Sequence, residues 1–263
     1  MQLQTKSSNP VLRNTLDNTY VDAYQYNNKQ SGFLTRNNVV GATIFLLVIV
    51  SLTAYGVIKI GKENPGIALS LNLIGVFGAI IMGLIISFNR KAQRGSAILS
   101  IIFSIFEGLM VGGFTYSIGM NLNIQGSNGM NIVLQAIIGT ISLFFVAMLL
   151  YGSKIIDVNK KFTSFVMYAS MGFGAMYLVN FVISLFTGTN LLFSSGPIPI
   201  IIGVLAIILG CLSLLVDLKN VDVATKAGVP SQFKWTLAVG FMTSIVWIYM
   251  EILRVLYLTL TRQ

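Results

Sequence analysis

WTLAVGFMTSIVWIYMEILRVLYL runs from Trp235 to Leu258. It is long enough to cross a bilayer, which takes about 20 mostly apolar residues. It also carries Glu251 and Arg254. A charge at the bilayer centre costs roughly 2.5–3.5 kcal/mol on insertion scales. The two residues are three apart, so they share a helix face and can pair within the helix. Counted from Trp235, Glu251 lies about 24 Å along a helix of roughly 36 Å. Neither charge belongs in lipid, so this stretch is expected to sit at the centre with an apolar ring of helices around it.

The ring is available. Six further stretches are long and apolar enough to span: Asn38 to Ile60, Gly66 to Phe88, Ala97 to Gly119, Asn131 to Tyr151, Phe162 to Phe186 and Pro197 to Val216. Pro65 and Pro197 stand at helix entrances, where a missing N–H costs little. The expected fold is therefore an all-α membrane protein of seven transmembrane helices over residues 38–260, six of them wrapped around a central C-terminal one. A polar, Asn- and Gln-rich leader, residues 1–37, precedes it. The leader lacks the apolar core of a secretory signal and reads as a partly disordered cytosolic segment.

Composition agrees. Of 263 residues, 55% are hydrophobic and 10% charged, and the mean hydropathy is +0.80, which places the chain among polytopic membrane proteins. The net charge of +9 does not point to nucleic acid, because the basic residues fall in short loops rather than on one face. Lys6, Arg13, Lys29 and Arg36 precede the first span; Arg90, Lys91 and Arg94 follow the second; Lys154, Lys160 and Lys161 follow the fourth; Lys219, Lys226 and Lys234 follow the sixth. Lys59 and Lys62 are the basic residues of the first loop, and the third and fifth loops have none. That alternation places the N-terminus in the cytosol and the C-terminus outside.

The absence of histidine excludes HExxH zinc chemistry, Ser-His and Cys-His nucleophiles, and histidine pH switches. The one cysteine, Cys211, cannot form an intrachain disulfide and reads as a small apolar-site residue. No GxGD segment occurs, and the seventh stretch has no internal lysine for a retinal Schiff base. The chain is not expected to be an enzyme, and no cofactor is implied.

Small residues mark where helices can approach closely: Gly108 and Gly112 in the third stretch, and Gly172, Gly174 and Ala175 in the fifth. Asn72, Gln135 and Asn180 offer interhelical hydrogen bonds, and Tyr151, Trp235 and Tyr257 suit the membrane interface.

The chain has eight carboxylates, and three stand in or at the edge of apolar stretches: Glu107, Asp217 and Glu251. Glu107 is ten residues past Ala97, about 15 Å deep at the helical rise. It reads either as a neutral carboxyl bonding a neighbouring helix or, with Arg254, as a polar residue of a cavity or path. Asp217 ends the sixth stretch, close to Lys219 and Asp222 in the run LVDLKNVD. It reads either as an ordinary interfacial charge or as a gating group, with Asp222 a secondary candidate.

Segments across the whole chain resemble the Bax inhibitor-1 family in its bacterial branch. They are NPVLR at Asn9 to Arg13, FEGLMVGG at Phe106 to Gly113, YLVNFVISLF at Tyr177 to Phe186, LLVDLKNVDVATKAGVP from Leu214, and WIYMEILRVL from Trp247. The resemblance implies six helices around a seventh and a calcium leak governed by pH. It also implies an acidic pair acting as proton sensor, with Asp217 as the first partner and Glu251 standing where bacterial members carry Asp. Glu107 matches that family's EG motif.

Two functions follow as expectations. The first is a pH-sensitive calcium or cation leak gated by Asp217 and Glu251. Like charges brought close cannot both ionise cheaply, so the pair would share a proton or a neighbouring cation such as Arg254. Carboxylate oxygens suit calcium as the permeant ion, held weakly near Asp217 and Glu251 with no tight metal site. The second is a non-conducting regulator that binds a partner such as an integral membrane protease through the leader and basic loops. A bacterial inner membrane is the expected location.

Overall fold

The computed structural model describes residues 32–89, 95–124, 129–194 and 196–261. Seven helices are long and apolar enough to cross a membrane. They are α1 (Arg36–Glu63), α2 (Pro65–Phe88), α3 (Ala97–Ile124), α4 (Gly129–Gly152), α5 (Lys160–Thr187), α6 (Pro197–Lys226) and α7 (Lys234–Leu260). Short 3-10 turns at Leu191–Phe193 and Ser231–Phe233 precede α6 and α7. The protein is an all-α, seven-span integral membrane protein, which implies a lipid bilayer around it. Most of the leader, with Lys6, Arg13, Lys29 and the NPVLR segment, lies outside the described residues, as do Arg90, Lys91 and Arg94.

Local chemistry sets the helix ends. Thr35 caps α1 by accepting from the Asn38 N–H at 3.2 Å, and Asn159 caps α5 by accepting from the Phe162 N–H at 3.0 Å. α2 and α6 begin on Pro65 and Pro197 as the sequence indicates.

The sixth helix departs from expectation. Hydropathy ends it at Val216, which puts Asp217 at a terminus. The helix instead continues to Lys226, so Asp217 lies inside it. Asn220, Val221 and Ala224 on the extension are buried, so this polar stretch packs one face and stays helical. It stops at Gly228, whose φ is +65. There the Gly228 N–H bonds the Thr225 carbonyl at 3.2 Å and the Val229 N–H bonds the Ala224 carbonyl at 3.4 Å. These are the paired bonds of a Schellman stop, and Pro230 then bars further helix.

The chain forms two compact units: Met1–Tyr116 with Asp217–Thr243, and Ser117–Val216 with Ser244–Gln263. In the first, glycines let α3 press against two neighbours. A Cβ on Gly112 would lie 2.7 Å from the Ala54 Cα of α1, and one on Gly75 of α2 would lie 2.3 Å from the Met110 backbone nitrogen. Gly108 meets Thr53 equally closely, so the Gly108–Gly112 step packs as expected. Asn72 Nδ2 donates to the Met110 carbonyl at 2.7 Å, an α2–α3 link.

In the second unit the close approach falls elsewhere than the sequence suggested. Gly172 and Gly174 have nothing within 4 Å of an added Cβ, and Ala175 is exposed. Small residues permit a close approach but do not supply a partner. The tight contacts are instead at Gly203 and Gly210 of α6, seven residues apart, which face Val255 and Ile248 of α7. Asn180 bonds Asn190 at 2.8 Å in the α5–α6 connection, and Gln135 is exposed.

α7 differs from the rest in burial. No residue from Ser231 to Leu258 is exposed. By the buried share of its apolar window α7 equals α3, at 44% each, against 6% for α5.

Candidate functional site

Within the second unit, Glu251 is 6% exposed and Arg254 2%. One turn of α7 separates them. Arg254 Nη2 donates to Glu251 Oε2 at 2.6 Å, the within-helix pair that their spacing indicates. The Tyr177 hydroxyl of α5 donates to Glu251 Oε1, and the Tyr177 ring lies under the guanidinium, 5.3 Å from its carbon. α6 closes the remaining side at Gly203: a Cβ there would stand 2.4 Å from Val255 Cγ2 and 3.3 Å from Arg254 Nη2. Three helices thus enclose one carboxylate and one guanidinium.

This cluster is neutral in sum but incompletely bonded. Arg254 Nε and Nη1 are buried and have no hydrogen-bond partner among the described residues. Burying an unfilled donor costs about 1–3 kcal/mol. Any rearrangement that offers those nitrogens an acceptor therefore competes with the observed state.

Within the first unit, Glu107 is 3% exposed. Thr243 of α7 donates to its Oε1 at 3.1 Å, and its Oε2 has no hydrogen-bond partner among the described residues. One turn before it, the Ser104 hydroxyl contacts the Met242 sulfur at 3.3 Å, so α3 meets α7 through a polar line rather than a purely apolar seam. A carboxyl with an unfilled oxygen in an apolar setting must be protonated, paired or wetted.

Asp217, partly buried in the same unit, faces Gly240 of α7, where an added Cβ would lie 3.4 Å from Asp217 Oδ1. Asp222 pairs with Arg36 at 2.7 Å. That contact joins the start of α1 to the extension of α6. Among the described residues no three Cys, Asp or Glu gather in a metal-binding group.

The structure therefore joins Glu251 with Arg254, gives Glu107 a threonine partner, and seats Asp217 and Asp222 beside α7 and α1. Sequence reasoning missed Tyr177, Thr243 and Gly203. Thr243, Trp247, Glu251 and Arg254 follow at steps of four, four and three, so they share one helix face, and that periodicity was available as a signal. Nothing local marked Tyr177 as a carboxylate partner.

The order of segments and their placement on seven spans invite comparison with known families. A family model described as Bax inhibitor 1 like matches residues 9–260. The chain belongs to that family. No curated protein matches it. The match takes in every described element of this Bax inhibitor 1 like protein, including α7 and its charged pair.

Proposed function

We propose that this Bax inhibitor 1 like protein is a pH-sensitive calcium or cation leak in which α7 is the moving part and buried carboxylates are the sensors. The observation that carries the reading is the Glu251–Arg254 pair, buried inside the bundle and held from α5 by Tyr177. With Glu251 ionised, Arg254 fills its cation position. Protonation of Glu251 discharges the attraction and frees the guanidinium, whose unfilled nitrogens favour another arrangement. Glu107 and Asp217 are further carboxylates against α7, at Thr243 and Gly240, and carboxylate oxygens suit a hard cation. So few oxygens suit passage better than storage.

Two features support α7 as a central helix. It has no exposed residue from Ser231 to Leu258. It also touches α1 through Phe45–Trp235 and α3 through Glu107–Thr243 in one unit, and α4, α5 and α6 through Gly139, Tyr177 and Gly203 in the other. The basic residues of alternate loops support a cytosolic N-terminus and an external C-terminus, and the compact loops and Asn-, Lys- and Ile-rich composition fit a bacterial inner membrane.

The test is calcium flux into liposomes across acidic and neutral pH. Glu251→Gln, which mimics the protonated carboxyl, is expected to show at neutral pH the flux that the unaltered protein shows in acid, and to lose the pH response. Asp217→Asn is expected to alter that response as well. If both variants behave as the unaltered protein does, the leak reading fails. The regulator reading then gains, and deletion of Met1 to Arg36 should abolish partner capture.

A further inference from the structure

The segment entering α1 is bound to the segment entering α7. The Leu34 N–H donates to the Val229 carbonyl at 2.9 Å, and the Ser231 N–H donates to the Gly32 carbonyl at 2.9 Å. Phe33 and Pro230 form the antiparallel bridge between these bonds. Arg36 adds its 2.7 Å pair with Asp222. Leu34 is 2% exposed and Val229 is 3%, so the junction has an apolar seat as well as hydrogen bonds. The Schellman stop at Gly228 turns the chain out of α6 just before this contact. The 3-10 turn Ser231–Phe233 then leads directly into α7.

We propose that Gly32–Arg36 is a clasp on the α6–α7 connection, and that this clasp must loosen for α7 to move. The inference rests on the leak reading for its functional consequence, but the clasp itself restrains the start of α7 whether or not ions pass. The physical case is one of leverage. A helix end held by two backbone bonds, a buried leucine and an ion pair cannot tilt or slide without breaking them together. Each contact is weak alone; Arg36 is 66% exposed in its side chain, and an exposed ion pair contributes little. A set of weak contacts broken as a group makes a reversible latch.

The geometry offers a direct test. Phe33 and Pro230 are a non-hydrogen-bonded antiparallel pair, for which Cα atoms stand about 4.5 Å apart, within reach of a disulfide. Phe33 is 71% exposed, so its replacement disturbs no core. The variant Phe33→Cys/Pro230→Cys, with Cys211→Ser to remove the native thiol, is reconstituted in liposomes and compared oxidised and reduced. Calcium flux and backbone hydrogen exchange over Lys234–Thr243 are both read. Oxidation is expected to cut flux to about a tenth or less by removing the open population, with recovery on reduction. It is also expected to slow exchange at the start of α7. Failure of the disulfide to form, or flux indifferent to a complete link, overturns the clasp. If the reduced protein passes no calcium at all, the leak reading fails separately. The clasp then stands on slowed exchange and falls if exchange is unchanged.

Discussion

Glu251→Gln should destabilise the fold by an amount that its surroundings set. The change removes the acceptor charge from a 2.6 Å bond to Arg254, a residue 2% exposed. The guanidinium stays charged, and two of its nitrogens already have no partner among the described residues. Removing one member of a buried ion pair costs about 3–5 kcal/mol. The glutamine oxygen still accepts one bond, returning about 1 kcal/mol, so the expected net loss is about 2–4 kcal/mol. At roughly 2–4 °C per kcal/mol for a chain of this size, the melting temperature should fall by about 10 °C. Intrinsic fluorescence of Trp235 and Trp247 in detergent micelles reads the transition. The second arm is Glu251→Gln with Arg254→Met, which removes the stranded charge and fills its volume with an apolar chain. Most of the lost stability should return, because a buried pair replaced by apolar groups is often neutral. A single variant melting within about 2 °C of the unaltered protein would refute the burial argument. So would a double variant less stable than the single one.

Other outcomes follow from packing. Gly75→Ala should lower the melting temperature clearly, since its Cβ would lie 2.3 Å from the Met110 backbone nitrogen; overpacking of this kind costs about 1–3 kcal/mol. Gly172→Ala should be neutral or raise stability by up to about 1 kcal/mol, because its Cβ meets nothing within 4 Å and alanine favours helix. Gly228→Ala should cost about 1–2 kcal/mol at a φ of +65 and speed hydrogen exchange at the end of α6. A cycle of Asp217→Asn and Glu251→Gln in the flux assay tests the acidic pair: a shared proton requires strongly non-additive effects, and independent sensors require additive ones.

The seven spans were legible because hydropathy reports what a bilayer demands of a helix. The end of α6 was not, because hydropathy stops where charge begins, at Asp217, while helix formation does not. The stop was nonetheless written as Ala227-Gly228-Val229-Pro230, in the language of caps rather than hydrophobicity. The Glu251–Arg254 pair was legible from spacing alone, since i and i+3 belong to one face. Tyr177 was not, because a contact between helices 74 positions apart depends on rotation about both axes, which composition does not encode. The glycines show the same divide. Sequence identifies residues small enough for close approach, at Gly112 and Gly172 alike, but only packing decides which of them a neighbour uses.

The thorough burial of α7 has a consequence for biogenesis. A helix bearing an ion pair and no exposed position between Ser231 and Leu258 gains little from lipid by itself. Emerging from the ribosome after α1–α6, it meets companions that have already inserted, and its entry into the membrane and its assembly with them become a single event. Chains cut before Lys234 should therefore insert but fail quality control, leaving unfinished intermediates for proteolysis.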